Sequence, residues 1–204
     1  MRSGKLLSLL LFVTIVFTLA SCGGESPSMY IENAQLTEEE KAIAELLNMQ
    51  QHLRIFDFVV DHNAKRMRIN TYELLNGEWS PISIDYHEPL NNTDGRLAFE
   101  FDHLDEGMRF AIQSGGNTGS ASYSTQPEYD TLGMGYGTST MSGRTEIIYG
   151  VEMPVAIQIV TSKSSFQSCS VNYFSTPEEL AKYGYEHIYA ITVCFEDTAS
   201  TGGM

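Results

Sequence analysis

Tyr189, Ile191, Val193 and Phe195 take every second position of one apolar run. Side chains alternate between two faces only in extended backbone, so this spacing commits the run to a sheet with one face buried. The same period marks Leu97-Phe99-Phe101, Met108-Phe110-Ile112 and Val155-Ile157-Ile159, with a shorter stretch at Ile147-Ile148-Tyr149. Turn groups such as Asn91-Asn92-Thr93-Asp94-Gly95 and Asp105-Glu106-Gly107 separate them. Leu53, Ile55, Phe56 and Phe58 followed by Met67, Ile69 and Thr71 predict a hairpin over residues 53–76, turning at His62-Asn63-Ala64-Lys65. Asn76-Gly77 then predicts a return into a strand over residues 79–84. A chain patterned this way is mainly β, an antiparallel β-sandwich or open barrel of about eight to nine strands.

Helical spacing shows in two places. Thr37 is placed to cap, Glu40 to close a capping box, and the acidic first turn suits the positive end of the helix dipole. Leu36, Ile43, Leu46, Leu47 and Met49 then predict a helix over residues 38–50 with its apolar stripe on the core. A second, short helix is expected near residues 177–183, with Thr176 as cap, Pro177 in the first turn and Glu179 completing the box. Gly184 stops it. The expected organisation is a leader over 1–21, a tether over 22–36, one β-rich domain over 37–197 and a flexible tail over 198–204.

Between residues 114 and 143 the composition shifts to seven glycines, many Ser and Thr, and the tyrosines Tyr123, Tyr129 and Tyr136. Residues 118–124 alternate as an edge strand would, while 127–137 read as a long exposed loop. Tyrosine offers rigid apolar area with a polar tip, and Ser and Gly let the backbone conform to a partner. These three tyrosines are therefore the candidate ligand-contact loop.

The first residues carry an address. Arg2 and Lys5 precede an almost unbroken apolar run over residues 6–20, shorter than the about 20 residues a spanning helix needs. Leu19-Ala20-Ser21-Cys22 follows, two small residues directly before a cysteine. This segment resembles the lipobox signal peptide of bacterial lipoproteins, and by leader and size the chain is similar to the small lipoproteins of bacterial surfaces. The resemblance implies that Cys22 is diacylated, that a type II signal peptidase cuts between Ser21 and Cys22, and that acyl chains such as palmitate hold the protein on the membrane, facing the extracytoplasmic side. Gly23 is not the aspartate that retains lipoproteins in the inner membrane of diderm bacteria. Losing Arg2 and Lys5 with the leader takes the formal charge from −14 to −16. So acidic a surface repels phosphate backbones and anionic lipid heads, which excludes nucleic acid as a natural partner and stands the domain off the bilayer.

No motif names a reaction. There is no G-x-S-x-G elbow and no Gly-Lys-Ser/Thr phosphate loop. His52, His62, His87, His103 and His187 are scattered without zinc spacing, and no cofactor is implied. Asp102, His103, Asp105 and Glu106 form the densest polar group, and Asp102, Asp105 and Glu106 are weak candidates for a divalent cation. Asp57, Asp61 and His62 form another group, though alternation keeps Asp57 away from the turn. Glu100, Glu146 and Glu152 are candidate paired carboxylates if a cleft brings two together. Trp79, beside the Asn76-Gly77 turn, suits a plug at the core rim. Cys169 and Cys194 remain once Cys22 is lipidated; a bridge between them would contribute about 3 kcal/mol, and two buried free thiols fit equally well.

The expected function is a membrane-anchored, non-enzymatic binding or interaction module for an envelope protein or glycan. The alternative is an envelope hydrolase acting on glycan or peptide. A cleft converging two carboxylates, or a histidine with a nucleophile, favours the hydrolase; loop grooves on a smooth sandwich favour the binder.

Overall fold

The structure, a computed structural model, describes residues 28–82 and 86–197. The leader, Cys22, the tether up to residue 27, the C-terminal tail and the last residues of the 79–84 strand lie outside the described residues.

Two antiparallel sheets pack face to face as a β-sandwich. Strands β1 (Tyr30–Asn33), β2 (Leu53–Val59), β6 (Asp94–Glu100), β7 (Gly107–Ser114), β8 (Asn117–Ser124) and β10 (Thr145–Glu146) build the first, in the order β10-β1-β2-β6-β7-β8. The second contains β3 (Ala64–Leu75), β4 (Glu78–Pro81), β5 (Tyr86–Pro89), β9 (Gly135–Thr140), β11 (Met153–Thr161) and β12 (His187–Asp197). Its order is β4-β3-β12-β11-β9, and β5 also pairs with β3. The alternation is realised in the core. Phe56, Phe58, Leu97, Phe99 and Phe110 of the first sheet are buried against Met67, Ile69, Val193 and Phe195 of the second, with Phe58 and Phe195 ring centroids 5.2 Å apart.

The outer face of the second sheet is covered too. Ile157, Ile159, Ile188 and Ala190 are buried on it, and Tyr72 and Trp79 meet Phe174 from the segment 163–185. That segment holds a 3-10 turn, Val171–Ser175, and a helix, Pro177–Ala181. Trp79 stacks on Phe174 and donates its indole N–H to the Phe174 carbonyl at 2.8 Å, as a rim plug should. Thr176 precedes the helix without making a side-chain cap bond, so the expected capping box is absent there.

Three expectations are corrected. β2 and β3 do not pair: they lie in different sheets, so residues 60–63 carry the chain across the sandwich rather than around a hairpin. Both strands bury one face, and facing each other across the core satisfies both. Asn76-Gly77, with φ of 55° and 85°, does form the predicted tight turn, joining β3 to β4. Second, the expected tether contains β1, whose Ile31 is completely buried between β2 and β10. Third, the first helix spans Glu38–Leu46, and its Thr37–Glu40 capping box forms as predicted, yet its apolar stripe faces outward. Leu46 is 85% exposed, and Ile43 and Leu47 are also exposed. Arg96 on β6, already paired with Asp57, takes Glu40 at 2.6 Å, so the polar side of the helix is the one drawn onto the sheet. Of the two readings left open for the remaining cysteines, the structure holds the second: Cys169 and Cys194 are free and buried. Cys169 joins the apolar cluster, whereas the Cys194 thiol lies beside Arg68 and Glu196. No helix among the described residues is long and apolar enough to cross a membrane.

Candidate functional site

At one end of the sandwich the inward face turns from apolar to polar. Moving along β12 from Phe195 through Val193 and Ile191, the same face ends in Tyr189 and His187. Register places Glu73 of β3 directly opposite Tyr189, so all three side chains meet on one face. His187 Nδ1 lies 3.0 Å from Glu73 Oε1, and the Tyr189 hydroxyl donates to the same oxygen at 3.3 Å.

The first sheet contributes the loop between β6 and β7. Gln158 of β11, fully buried, ties that loop to the second sheet: its Oε1 accepts from the Leu104 amide at 2.7 Å, and its Nε2 donates to the Asp102 carbonyl at 2.8 Å. Held this way, Asp105 points inward and is only 3% exposed. Tyr129 donates to Asp105 Oδ2 at 2.6 Å, and Tyr136 stands 3.5 Å from the same oxygen. The Tyr129 and Tyr189 hydroxyls are 3.5 Å apart, which links Asp105 to Glu73 through two tyrosines. A cleft of about 440 Å³ opens here, walled by Glu73, Asp105, Tyr123, Tyr129, His187 and Tyr189.

Flat rings line the walls. Tyr129 lies on His187 at 3.7 Å, and Tyr136 on His103 at 3.6 Å, each within about 10° of parallel. Burial, then the Asp105 bond, pushes the Tyr129 phenol far above its ordinary range. Burial also raises Tyr189, and it raises Tyr136, with help from the Asp105 and Glu106 charges, to about 12. At neutral pH these phenols stay protonated and act as donors to the carboxylates. The site therefore offers acceptor oxygens backed by aromatic faces, a surface for hydrogen-bond donors and positive charge rather than for anions.

Of the residues singled out in the sequence, the structure gathers Asp105, Tyr123 and Tyr129 at this cleft, with Tyr136 behind Asp105. The tyrosines are half-buried parts of its wall, not projections from an exposed loop: Tyr123 belongs to β8, Tyr136 to β9 and only Tyr129 to the intervening segment. Glycine explains part of the composition of this stretch. A Cβ on Gly137 would fall 2.3 Å from the Phe166 ring, so the strand is glycine-rich because an aromatic side chain lies on it.

The other candidates disperse. Asp102 and Glu106 are exposed and flank His103 at 3.7 and 3.6 Å, while Asp105 turns away from them; among the described residues no group of three or more His, Cys, Asp or Glu converges as a metal site. Asp57 is held by Arg96, and Asp61 accepts from Tyr149. Glu100 pairs with Arg109, Glu146 is exposed on β10, and Glu152 lies on the outer face of the second sheet, bonded to Asn70 and Tyr72 at 2.6 and 2.8 Å. No two of these three glutamates share a cleft. Glu73, His187 and Tyr189 were not singled out as site residues, because what unites them with Asp105 is pairing between segments more than a hundred residues apart. No protein-family model matches the chain, and no curated protein or solved structure matches it.

Proposed function

We propose that this chain is a membrane-anchored extracytoplasmic lipoprotein, tethered through Cys22, whose β-sandwich is a non-enzymatic module that binds an envelope ligand in the cleft beside Asp105 and Glu73. The observation that carries the reading is the cleft itself: about 440 Å³, within the range of small-molecule sites, with few polar groups fixed in place by buried hydrogen bonds. Its position agrees with a tether at the other end. β1 begins with Tyr30 beside Val59, at the far end of β2 from Leu53, and Leu53 pairs with Glu100, just before the loop that carries Asp105. A cleft so placed faces away from the bilayer that would hold Cys22.

One observation favours the hydrolase alternative, namely that the two inward carboxylates, Asp105 and Glu73, share the cleft, with Glu128 at its exposed rim. Glycoside hydrolysis needs one of the pair to deliver a proton to the leaving group. Here Tyr129 and Tyr189 donate to Asp105 and Glu73, which casts both as acceptors. Among the cleft residues, no serine or cysteine stands beside His187 to serve as a nucleophile. Binding is the better reading.

The test is thermal unfolding of the lipidated protein with fractionated soluble envelope glycans, peptides and small metabolites. Wild type should be stabilised by at least one fraction, unchanged in composition afterwards, and the double variant Glu73→Gln, Asp105→Asn should not respond. Consumption of the fraction by wild type but not by the variant would replace the binder with the hydrolase. Cys22→Ser should separately leave the precursor unprocessed and unanchored; normal maturation of that variant would remove the lipoprotein reading.

A further inference from the structure

Asp105 is a carboxylate almost without solvent, and its hydrogen bonding is one-sided. Oδ2 receives the Tyr129 hydroxyl and lies near that of Tyr136, whereas Oδ1 is buried and receives no hydrogen bond. A carboxylate in this position is costly unless a cation or further donors meet it. Among the described residues no Lys or Arg makes an ion pair with Asp105 or with Glu73, although Arg side chains pair with Asp57, Glu40, Glu32, Glu152 and Glu196 elsewhere. The cleft walls contain three carboxylates, Glu73, Asp105 and Glu128, and neither lysine nor arginine. Charge is thus concentrated, with no lysine or arginine beside it, where the buried Oδ1 of Asp105 also lacks a donor.

We infer that the cleft takes a small organic cation, a primary ammonium or guanidinium group that sits between Asp105 and Glu73 against the faces of Tyr129 and Tyr189. The inference rests on the cleft being the binding site proposed above, and it names the ligand's chemistry. An ammonium carries three donors and a guanidinium five, so either supplies Oδ1 of Asp105 and shares Glu73 with His187 and Tyr189. Charge-assisted bonds to carboxylates are about twice as strong as neutral ones, and tyrosine faces attract a desolvated cation further. A bare divalent metal fits less well, since it requires several oxygens at about 2.0 to 2.6 Å and no three acidic or histidine side chains converge among the described residues. An anion would meet three carboxylates and no lysine or arginine. The acidity of the whole chain, −14 before any processing, raises the concentration of cations around it.

The Tyr129 hydroxyl is the internal donor to Oδ2 of Asp105, and a cation that reaches both carboxylate oxygens competes with it. The cation replaces it, which makes Tyr129→Phe informative: the ring wall stays and the internal competitor goes.

Titration calorimetry on the full-length lipidated protein in phosphatidylcholine nanodiscs, with empty nanodiscs as blank, tests this with four probes: putrescine, agmatine, butane-1,4-diol and succinate. Putrescine or agmatine should bind saturably, and the diol and succinate should not. Asp105→Asn should weaken the cation by about tenfold or more, Glu73→Gln should weaken it as well, and Tyr129→Phe should bind at least as tightly as wild type. Circular dichroism melts of each variant show whether it is folded; if Asp105→Asn is not, Glu73→Gln carries the comparison. Absence of saturable heat with both cations, affinity for the diol equal to that for putrescine, or undiminished affinity in a folded Asp105→Asn would overturn the inference. Binding of the diol or succinate without the cations would overturn it while leaving the cleft as a binding site, which separates this failure from failure of the reading beneath it.

Discussion

Gln158 does at residue scale what neither sheet does alone. A neutral amide with a donor and an acceptor end, buried on β11, it satisfies a backbone N–H and a backbone C=O on the far sheet and also meets the Thr138 hydroxyl at 2.9 Å. Each buried group stranded by its loss costs about 1–3 kcal/mol. Gln158→Leu, similar in volume but mute, should therefore lower the free energy of unfolding by about 2–4 kcal/mol, read from urea midpoints by Trp79 fluorescence. It should also loosen the loop that aims Asp105, so cation affinity should fall in a variant that is still folded at low urea. A variant with wild-type stability would show that water replaces the amide on the loop. Little of this was legible from residue types: Gln158 sits in an apolar strand, and only the register that puts it beside Tyr189 on the cleft side explains an amide there.

Elements differ in how far local signals determine them. The Thr37–Glu40 box and the Asn76-Gly77 turn are decided by contacts within four residues, and both stand as the sequence indicates. The direction of the first helix is decided by Arg96, fifty-six residues away, which is why an amphipathic pattern pointed its apolar side inward and the structure turns it out. The same distance effect concealed β1, four residues long and too short to show a period. Yet β1 fills the gap between β2 and β10 and buries all of Ile31. A chain shortened to begin at Leu36 should be less stable than one beginning at Ser28 by about 3 kcal/mol or more: burying one isoleucine contributes about 1.5–3 kcal/mol, and the lost ladder bonds add to it. It should also aggregate more readily, since β2 becomes an uncovered edge. Chemical denaturation and light scattering of the two chains decide the matter; equal midpoints would make β1 an ornament of the sheet.

Taken as a whole, the molecule is polar along its length, with the start of β1 and the end of β12 at one end and the acidic cleft at the other. Asp197 lies opposite Ala64 and Tyr30 opposite Val59, while Tyr189 with Glu73 and Leu53 with Glu100 mark the cleft end. β2 alone separates the ends by about 20 Å at 3.3 Å per residue, and only six residues intervene between Cys22 and Met29 in the sequence. If acyl chains on Cys22 hold the protein, the turn at Asn92 should lie near the bilayer and the cleft rim at Gln126 should point outward; both residues are exposed. The two buried native thiols leave a new surface cysteine as the reactive one. A fluorophore on Asn92→Cys should accordingly be quenched more strongly by spin-labelled lipid in the vesicle than the same fluorophore on Gln126→Cys, and the difference should vanish when Cys22→Ser releases the domain. Equal quenching at the two positions would mean that the domain lies flat on the membrane. Stronger quenching at Gln126 would turn the cleft toward the lipid, and a ligand arriving from outside the cell could then not reach it.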